Sequence, residues 1–287
     1  MGACGGGQRG GGGRARRARG RLARRRLLGI GLTGLVAVVG AGLGGGDPAR
    51  RAVASEQQDE RARQADRARG RLSARPRPPA EAGPTGLQPL GLGDPRDGLL
   101  YVPAGYQPER PAPLVLMFHG AGSDARSGLR PLQDLADEAG LILLAVDSRG
   151  QSWDVIVGGY GPDVAFVDRA LAQTFAQYAV DPARLAVEGF SDGASYAVSM
   201  GITNGDLFTH VLAFSPGFSW PGDQQGTPRL FVSHGTHDPV LPIDQCSRRI
   251  VPRIRRAGYE VTYREFEGGH TYPPEIVQEA LAWFVGA

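Results

Sequence analysis

Leu114 to Phe118 reads LVLMF, five apolar residues without a polar break. A strand with one wet face alternates apolar and polar residues, so an unbroken run needs cover on both faces. Leu141–Val146 (LILLAV) is a second such run. Between and after these runs lie segments of helical spacing. Asp163 to Tyr178 places Val164, Phe166, Val167, Leu171, Phe175 and Tyr178 on one side of a helix. Alternation of this kind predicts an α/β fold, with a mostly parallel central sheet flanked by helices. Further strands are expected at Leu99–Val102, in a hairpin with the segment near Leu87–Leu92, and at Arg184–Glu188, Val211–Phe214, Leu230–Val232 and Val261–Phe266. Pro274–Phe284 has the pattern of a closing helix, and there is no internal repeat.

This pattern is confined to residues 87–287, about 200 residues, which suffices for one domain with a sizeable core. The chain before it differs in kind. Residues 1–80 carry 18 Arg against 5 acidic residues, a net +13, and the remainder is net −10. The basic charge therefore belongs to the leader, and the globular part is expected to ignore nucleic acid. Eight Arg fall between residues 14 and 26, followed by the uncharged stretch Leu27–Gly46. A basic region before an apolar one is an export pattern. Ala23-Arg24-Arg25-Arg26-Leu27-Leu28 resembles a twin-arginine signal, and Ala52-Val53-Ala54 would serve as a cleavage site. The expectation is an exported protein, with 1–46 as signal or anchor and 47–86 as a disordered Arg/Pro-rich linker. Uncleaved, the 20-residue stretch would be the chain's membrane contact. A start downstream of Met1 is the alternative. The oligomeric state is not legible.

All 32 basic residues are Arg. Without Lys there is no Schiff base, no pyridoxal phosphate enzyme, no Walker A loop and no Ser-Lys pair. Of two cysteines, Cys4 lies in the leader, and Cys246 reads as a packed free thiol in a helix.

The chemistry gathers at four segments. Gly189-Phe190-Ser191-Asp192-Gly193 is G-x-S-x-G between a predicted strand (RLAVE) and a predicted helix (ASYAVSMG). Small residues on both sides of the Ser allow a sharp turn that holds its hydroxyl exposed. A helix-capping Ser is the alternative, and the flanks favour a nucleophile. His119-Gly120-Ala121-Gly122 follows the strand LVLMF. Acyl transfer needs two backbone N–H donors aimed at one oxygen. Ala121 and Asp192 are the expected pair, with His119 structural.

A serine nucleophile needs a base, and the base an orienting acid. His270, in Gly268-Gly269-His270 after the last strand, is the expected base. Asp238, in the loop HGTHDP after the strand LFVS, is the expected acid, with Asp244 its nearest competitor. The order Ser191, Asp238, His270 is that of one known triad arrangement. His234, His237 and Asp238 could also hint at a metal, but no HExxH or paired-Cys pattern supports one, and none is expected. Trp153 and Tyr160, in the Gly-rich loop Ser152–Gly161, would either wall an acyl pocket or, for Trp153, pack beneath the loop.

HGAG, GFSDGAS, SHGTHDPVLP and GGHTYPPE together resemble the phospholipase/carboxylesterase and polyhydroxybutyrate-depolymerase branch of the α/β-hydrolases. Gly161–Phe166 and Val180–Arg184 are similar to its connecting helix and strand entry, so the resemblance covers about residues 98–285. It implies an α/β-hydrolase fold without a large lid and a triad of Ser191, Asp238 and His270. It implies no metal or cofactor, and a small-molecule or polymeric carboxylic ester as partner. Short acyl groups are expected. An acyltransferase with the same triad, or a silent binding module, stays open. Two departures stand out: acidic Asp192 after the nucleophile, and TYPPE where TWPG is commoner.

Overall fold

The computed structural model describes residues 48–79 and 82–286. The expected signal or anchor, 1–46, lies outside the described residues. In chain order the elements are α1 (Pro48–Arg67), β1 (Gly86–Pro89), β2 (Gly98–Val102), β3 (Ala112–Phe118), α2 (Ala125–Leu129), α3 (Ala136–Ala139), β4 (Ile142–Val146), α4 (Asp154–Val157), α5 (Pro162–Gln177), β5 (Val180–Phe190), α6 (Asp192–Thr203), β6 (His210–Phe214), β7 (Arg229–Gly235), α7 (Ser247–Arg256), β8 (Val261–Phe266) and α8 (Pro274–Val285). No helix among the described residues is long and apolar enough to cross a membrane.

The eight strands form one sheet in the order β1-β2-β4-β3-β5-β6-β7-β8. β1 and β2 form an antiparallel hairpin, and β2 meets β4 antiparallel. Every later pairing is parallel. The unbroken apolar runs explain the layering. Along β3 the side chains of Leu114, Leu116 and Phe118 enter one core, while Val115 and Met117 enter the other. The first core is closed by α5, α6 and α7, the second by α2 and α8. The loops that follow the parallel strands all leave from their C-terminal ends, where open α/β sheets place ligands.

The segment expected as a disordered linker is a correction. Residues 48–67 form α1, and the chain beyond it is pinned to the domain. Leu72 and Ala74 are buried. Asp168 accepts hydrogen bonds from the Ser73 and Ala74 N–H groups at 2.7 and 2.8 Å and from the Ser73 hydroxyl at 2.6 Å. Asn204 accepts from Leu72 N–H at 2.8 Å. Arg71 makes a two-pronged pair with Asp206, joined by Arg75. The hydrogen bond from Arg71 leads the effects that pull the Asp206 carboxyl down to about 2. Arg and Pro read as solvated from composition. Here the acceptors that order them lie some hundred residues away in sequence, on α5 and just after α6.

Candidate active site

Ser191 stands between β5 and α6 with φ 58° and ψ −119°, a conformation that few non-glycine residues adopt. The turn survives because its flanks lack side chains. A Cβ on Gly189 would strike the Gly193 carbonyl, and one on Gly193 would strike the Phe118 carbonyl of β3. Ser191 N–H donates to the Phe214 carbonyl at 2.9 Å, which ties the turn to β6. The hydroxyl is thereby held at the mouth of α6.

His270 Nε2 lies 2.9 Å from Ser191 Oγ, and His270 Nδ1 lies 2.7 Å from Asp238 Oδ2. The carboxylate requires a proton on Nδ1, which leaves Nε2 to accept from the serine hydroxyl. The loops that carry Asp238 and His270 are zipped together. Thr236 N–H donates to Phe266 O and His237 N–H to Gly268 O, both at 2.9 Å. A Cβ on Gly235 would strike the Gly268 and Gly269 carbonyls, so the approach depends on that glycine.

Asp238 is 5% exposed and richly partnered. Its Oδ1 accepts from Val240 N–H at 2.9 Å and Leu241 N–H at 2.8 Å. Burial pushes its carboxyl upward, but the bonds from Leu241, His270 and Val240 outweigh burial and hold it below its ordinary value. His234 lies behind it, fully buried, with Nε2 3.2 Å from Asp238 Oδ2 and 2.8 Å from the Leu241 carbonyl. A carbonyl can only accept, so Nε2 carries the proton, and Nδ1 accepts from the Ser247 hydroxyl at 2.7 Å. Burial lowers the His234 pKa, in keeping with a neutral ring. His237 points outward to Glu267. Asp244 is exposed and paired with Arg248, away from His270.

Neither Ala121 N–H nor Asp192 N–H has a hydrogen-bond acceptor among the described residues. The loop carrying Ala121 is braced on all sides. His119 accepts Ser148 N–H on Nε2 at 3.0 Å, so its Nδ1–H donates to Gly120 O at 2.7 Å. Burial keeps this imidazole neutral by lowering its pKa. Gly122 N–H donates to Gln151 O at 2.6 Å. The Asp192 carboxylate accepts from the Ser152 hydroxyl at 2.6 Å, so the acidic departure in the motif ties the 150–153 loop to α6.

Of the two readings of Trp153, its burial fits the one that packs it beneath the loop. Trp153 is fully buried, stacks on Tyr196 at 4.9 Å and donates its indole N–H to His119 O at 2.9 Å. It is a brace beneath the loop of residues 119–122. Tyr160 donates its hydroxyl to Trp220 O and packs against the N-terminal arm at Gly70. Both were drawn inward because the loop after β4 turns down onto α6, which its glycines do not announce. The walls beside Ser191 are instead Phe190, 4.7 Å from the His270 ring, and Tyr272, 4.9 Å from Phe190. Sequence spacing gave no signal for Ser152, His234 as a partner of Asp238, or buried Glu188.

The sheet order and the helices on both faces define an α/β-hydrolase fold. The Esterase family model, described as "Putative esterase", matches residues 91–248, and the chain belongs to that family. It is 28% identical over 157 residues to "Feruloyl esterase C" of Emericella nidulans, covering 52% of this chain. That match spans 57% of the relative's length. Among solved structures, a thermophilic esterase from Thermogutta terrifontis superposes with TM-score 0.55 at 21% identity, over 73% of this chain and 93% of its own. A fluorophosphonate-binding serine hydrolase of Staphylococcus aureus gives TM-score 0.57 at 14% identity, over 71% and 99%. These two likenesses concern the fold.

Proposed function

We propose that this chain is a serine carboxylic-ester hydrolase acting on small acyl esters. The observation that carries the reading is the continuous relay Asp238–His270–Ser191, with hydrogen bonds of 2.7 and 2.9 Å, beside two backbone N–H groups without acceptors. Family membership and the name of the fungal relative support ester substrates.

The relay supports a double displacement. Ser191 Oγ attacks the ester carbon as His270 Nε2 takes its proton. The former carbonyl oxygen becomes an oxyanion, received by the Ala121 and Asp192 N–H groups. On collapse the ester C–O bond breaks, and the leaving alkoxide takes the proton from His270. Water then attacks the acyl-enzyme, giving its proton to Nε2. The carboxylic acid departs and Ser191 regains its proton. Asp238, ionised and saturated with donors, holds His270 in one tautomer and stabilises its cation.

A fluorophosphonate probe is expected to label the wild type and not Ser191→Ala. The substitution is expected to lower kcat by roughly 10⁴ to 10⁶ on p-nitrophenyl acetate. An unlabelled wild type, or a variant at wild-type rate, overturns the reading. Faster kcat/KM on p-nitrophenyl palmitate than on the butyrate overturns the small-acyl part. Export stays a proposal resting on residues 14–46 of the sequence.

A further inference from the structure

Glu188 lies on β5, three residues before Ser191. Its neighbours across the sheet are Met117 and Leu212, both fully apolar and buried. The residue is 1% exposed, and neither carboxyl oxygen has a hydrogen-bond partner. A buried carboxyl without partners is costly, and one within a sheet core is rare unless something satisfies it. The side chain lines a cavity of about 260 Å³ on the α2 side of the sheet. Gly120 and Ala121 of the oxyanion loop form another wall of this cavity, and Phe190 and Tyr272 a third. A Cβ on Gly120 would lie 3.6 Å from Ser191 Cβ and from Phe190, so the cavity adjoins the nucleophile. Arg130 and Tyr272 also line a second hollow of about 290 Å³, beside Pro274 and Val277 of α8.

We propose that Glu188 is the polar end of a substrate subsite, and that this subsite takes a hydroxyl-bearing arm of the ester. The inference deepens the hydrolase reading and rests on it. The walls set the aromatic rings of Phe190 and Tyr272 beside the polar Ser123, Ser127 and Arg130, with the unpartnered carboxyl of Glu188 among them, a mix of apolar surface and a few polar groups that suits a small molecule. A hydroxyl both donates and accepts. Burial raises the Glu188 carboxyl well above its ordinary value and so favours its protonated form, which also both donates and accepts. A hydroxyl therefore satisfies both capacities of the acid, where a methyl satisfies neither. A site built on such a bond rejects the analogue that lacks the hydroxyl, because its own polar group is then left unpaired.

Two matched ester pairs test this and show which arm is read. Methyl 3-(4-hydroxyphenyl)propanoate against methyl 3-phenylpropanoate places the hydroxyl on the acyl side. 4-Hydroxyphenethyl acetate against phenethyl acetate places it on the alcohol side. Rates are referred to the fraction of enzyme labelled by fluorophosphonate, so an unlabelled wild type counts against the hydrolase reading and not against the subsite. The wild type is expected to prefer the hydroxylated member of one pair by roughly tenfold in kcat/KM. Glu188→Leu is expected to abolish that preference, chiefly through the hydroxylated ester, while Glu188→Gln keeps most of it. Equal rates within both pairs for the wild type overturn the proposal even if Glu188→Leu fails to fold. A preference that survives in Glu188→Leu overturns it as well.

Discussion

Asp238 and Glu188 carry the same group at nearly the same burial, 5% and 1% exposed, on neighbouring parts of one sheet end. Their pKa values move in opposite directions. Asp238 collects two backbone N–H groups and an imidazole N–H, and its pKa falls despite burial. Glu188 collects none, and burial alone drives its pKa up. Depth therefore does not decide charge; the count and direction of donors does. One carboxylate sits at a strand's end, where loop N–H groups are free to turn toward it. The other sits inside a strand, where every neighbouring N–H is spent on the ladder.

The largest test of that contrast is Asp238→Asn. The amide keeps the shape but cannot hold His270 in the Nδ1–H tautomer as a charge would, and kcat is expected to fall roughly 10⁴-fold. Steady-state rates on p-nitrophenyl acetate check this, and a fall of under tenfold would remove Asp238 from the acid role. Asp168 is a third carboxylate, saturated like Asp238 but far from the site, with Ser73 and Ala74 as its donors. Asp168→Ala leaves those N–H groups unpaired and is expected to cost about 2–3 kcal/mol in urea denaturation, with activity preserved. Unchanged stability would mean that the N-terminal arm docks without adding to the fold.

Glu188→Gln separates the two carboxyls by pH. A carboxyl whose folded pKa is raised keeps its proton in the native state and loses it in the unfolded chain. Wild-type stability should therefore fall as pH rises above the ordinary value of 4.5, until the folded pKa is reached. The glutamine variant removes this slope and is expected to gain on the wild type as pH rises above 4.5. Parallel stability curves would show that Glu188 is satisfied in the native state. The smallest effect concerns the brace of the loop of residues 119–122. Trp153→Phe deletes the donor to His119 O and is expected to cost about 1 kcal/mol, with a several-fold fall in kcat and little change in KM. A change confined to KM would instead place Trp153 in a substrate wall.

Legibility followed sequence distance. The turn at Ser191 is written in five contiguous residues, because Gly189 and Gly193 are demanded by backbone contacts within and beside that turn. β3 and β4 were readable as doubly covered strands from LVLMF and LILLAV alone. Asp238 and His270 were indicated by their order and by the strands before them. Trp153 and Tyr160 were not placed, since a Gly-rich loop leaves open whether its aromatics face solvent, substrate or core. The arm around Leu72 was misread as linker because Arg71, Leu72 and Ser73 find acceptors on elements 95 to 135 residues away.

The sequence by itself determined the layered α/β plan, the strained turn that presents Ser191, and the choice of His270 and Asp238 as residues to watch. These rest on periodicity and on turn chemistry, which are local. Only the tertiary structure decided which buried polar groups are satisfied. It gave Asp238 three donors, turned Trp153 into a prop, anchored the arm, and left Glu188 at a cavity near Ser191 with no partner. A hydrogen bond depends on where distant segments are brought together, and no run of neighbouring residues records that.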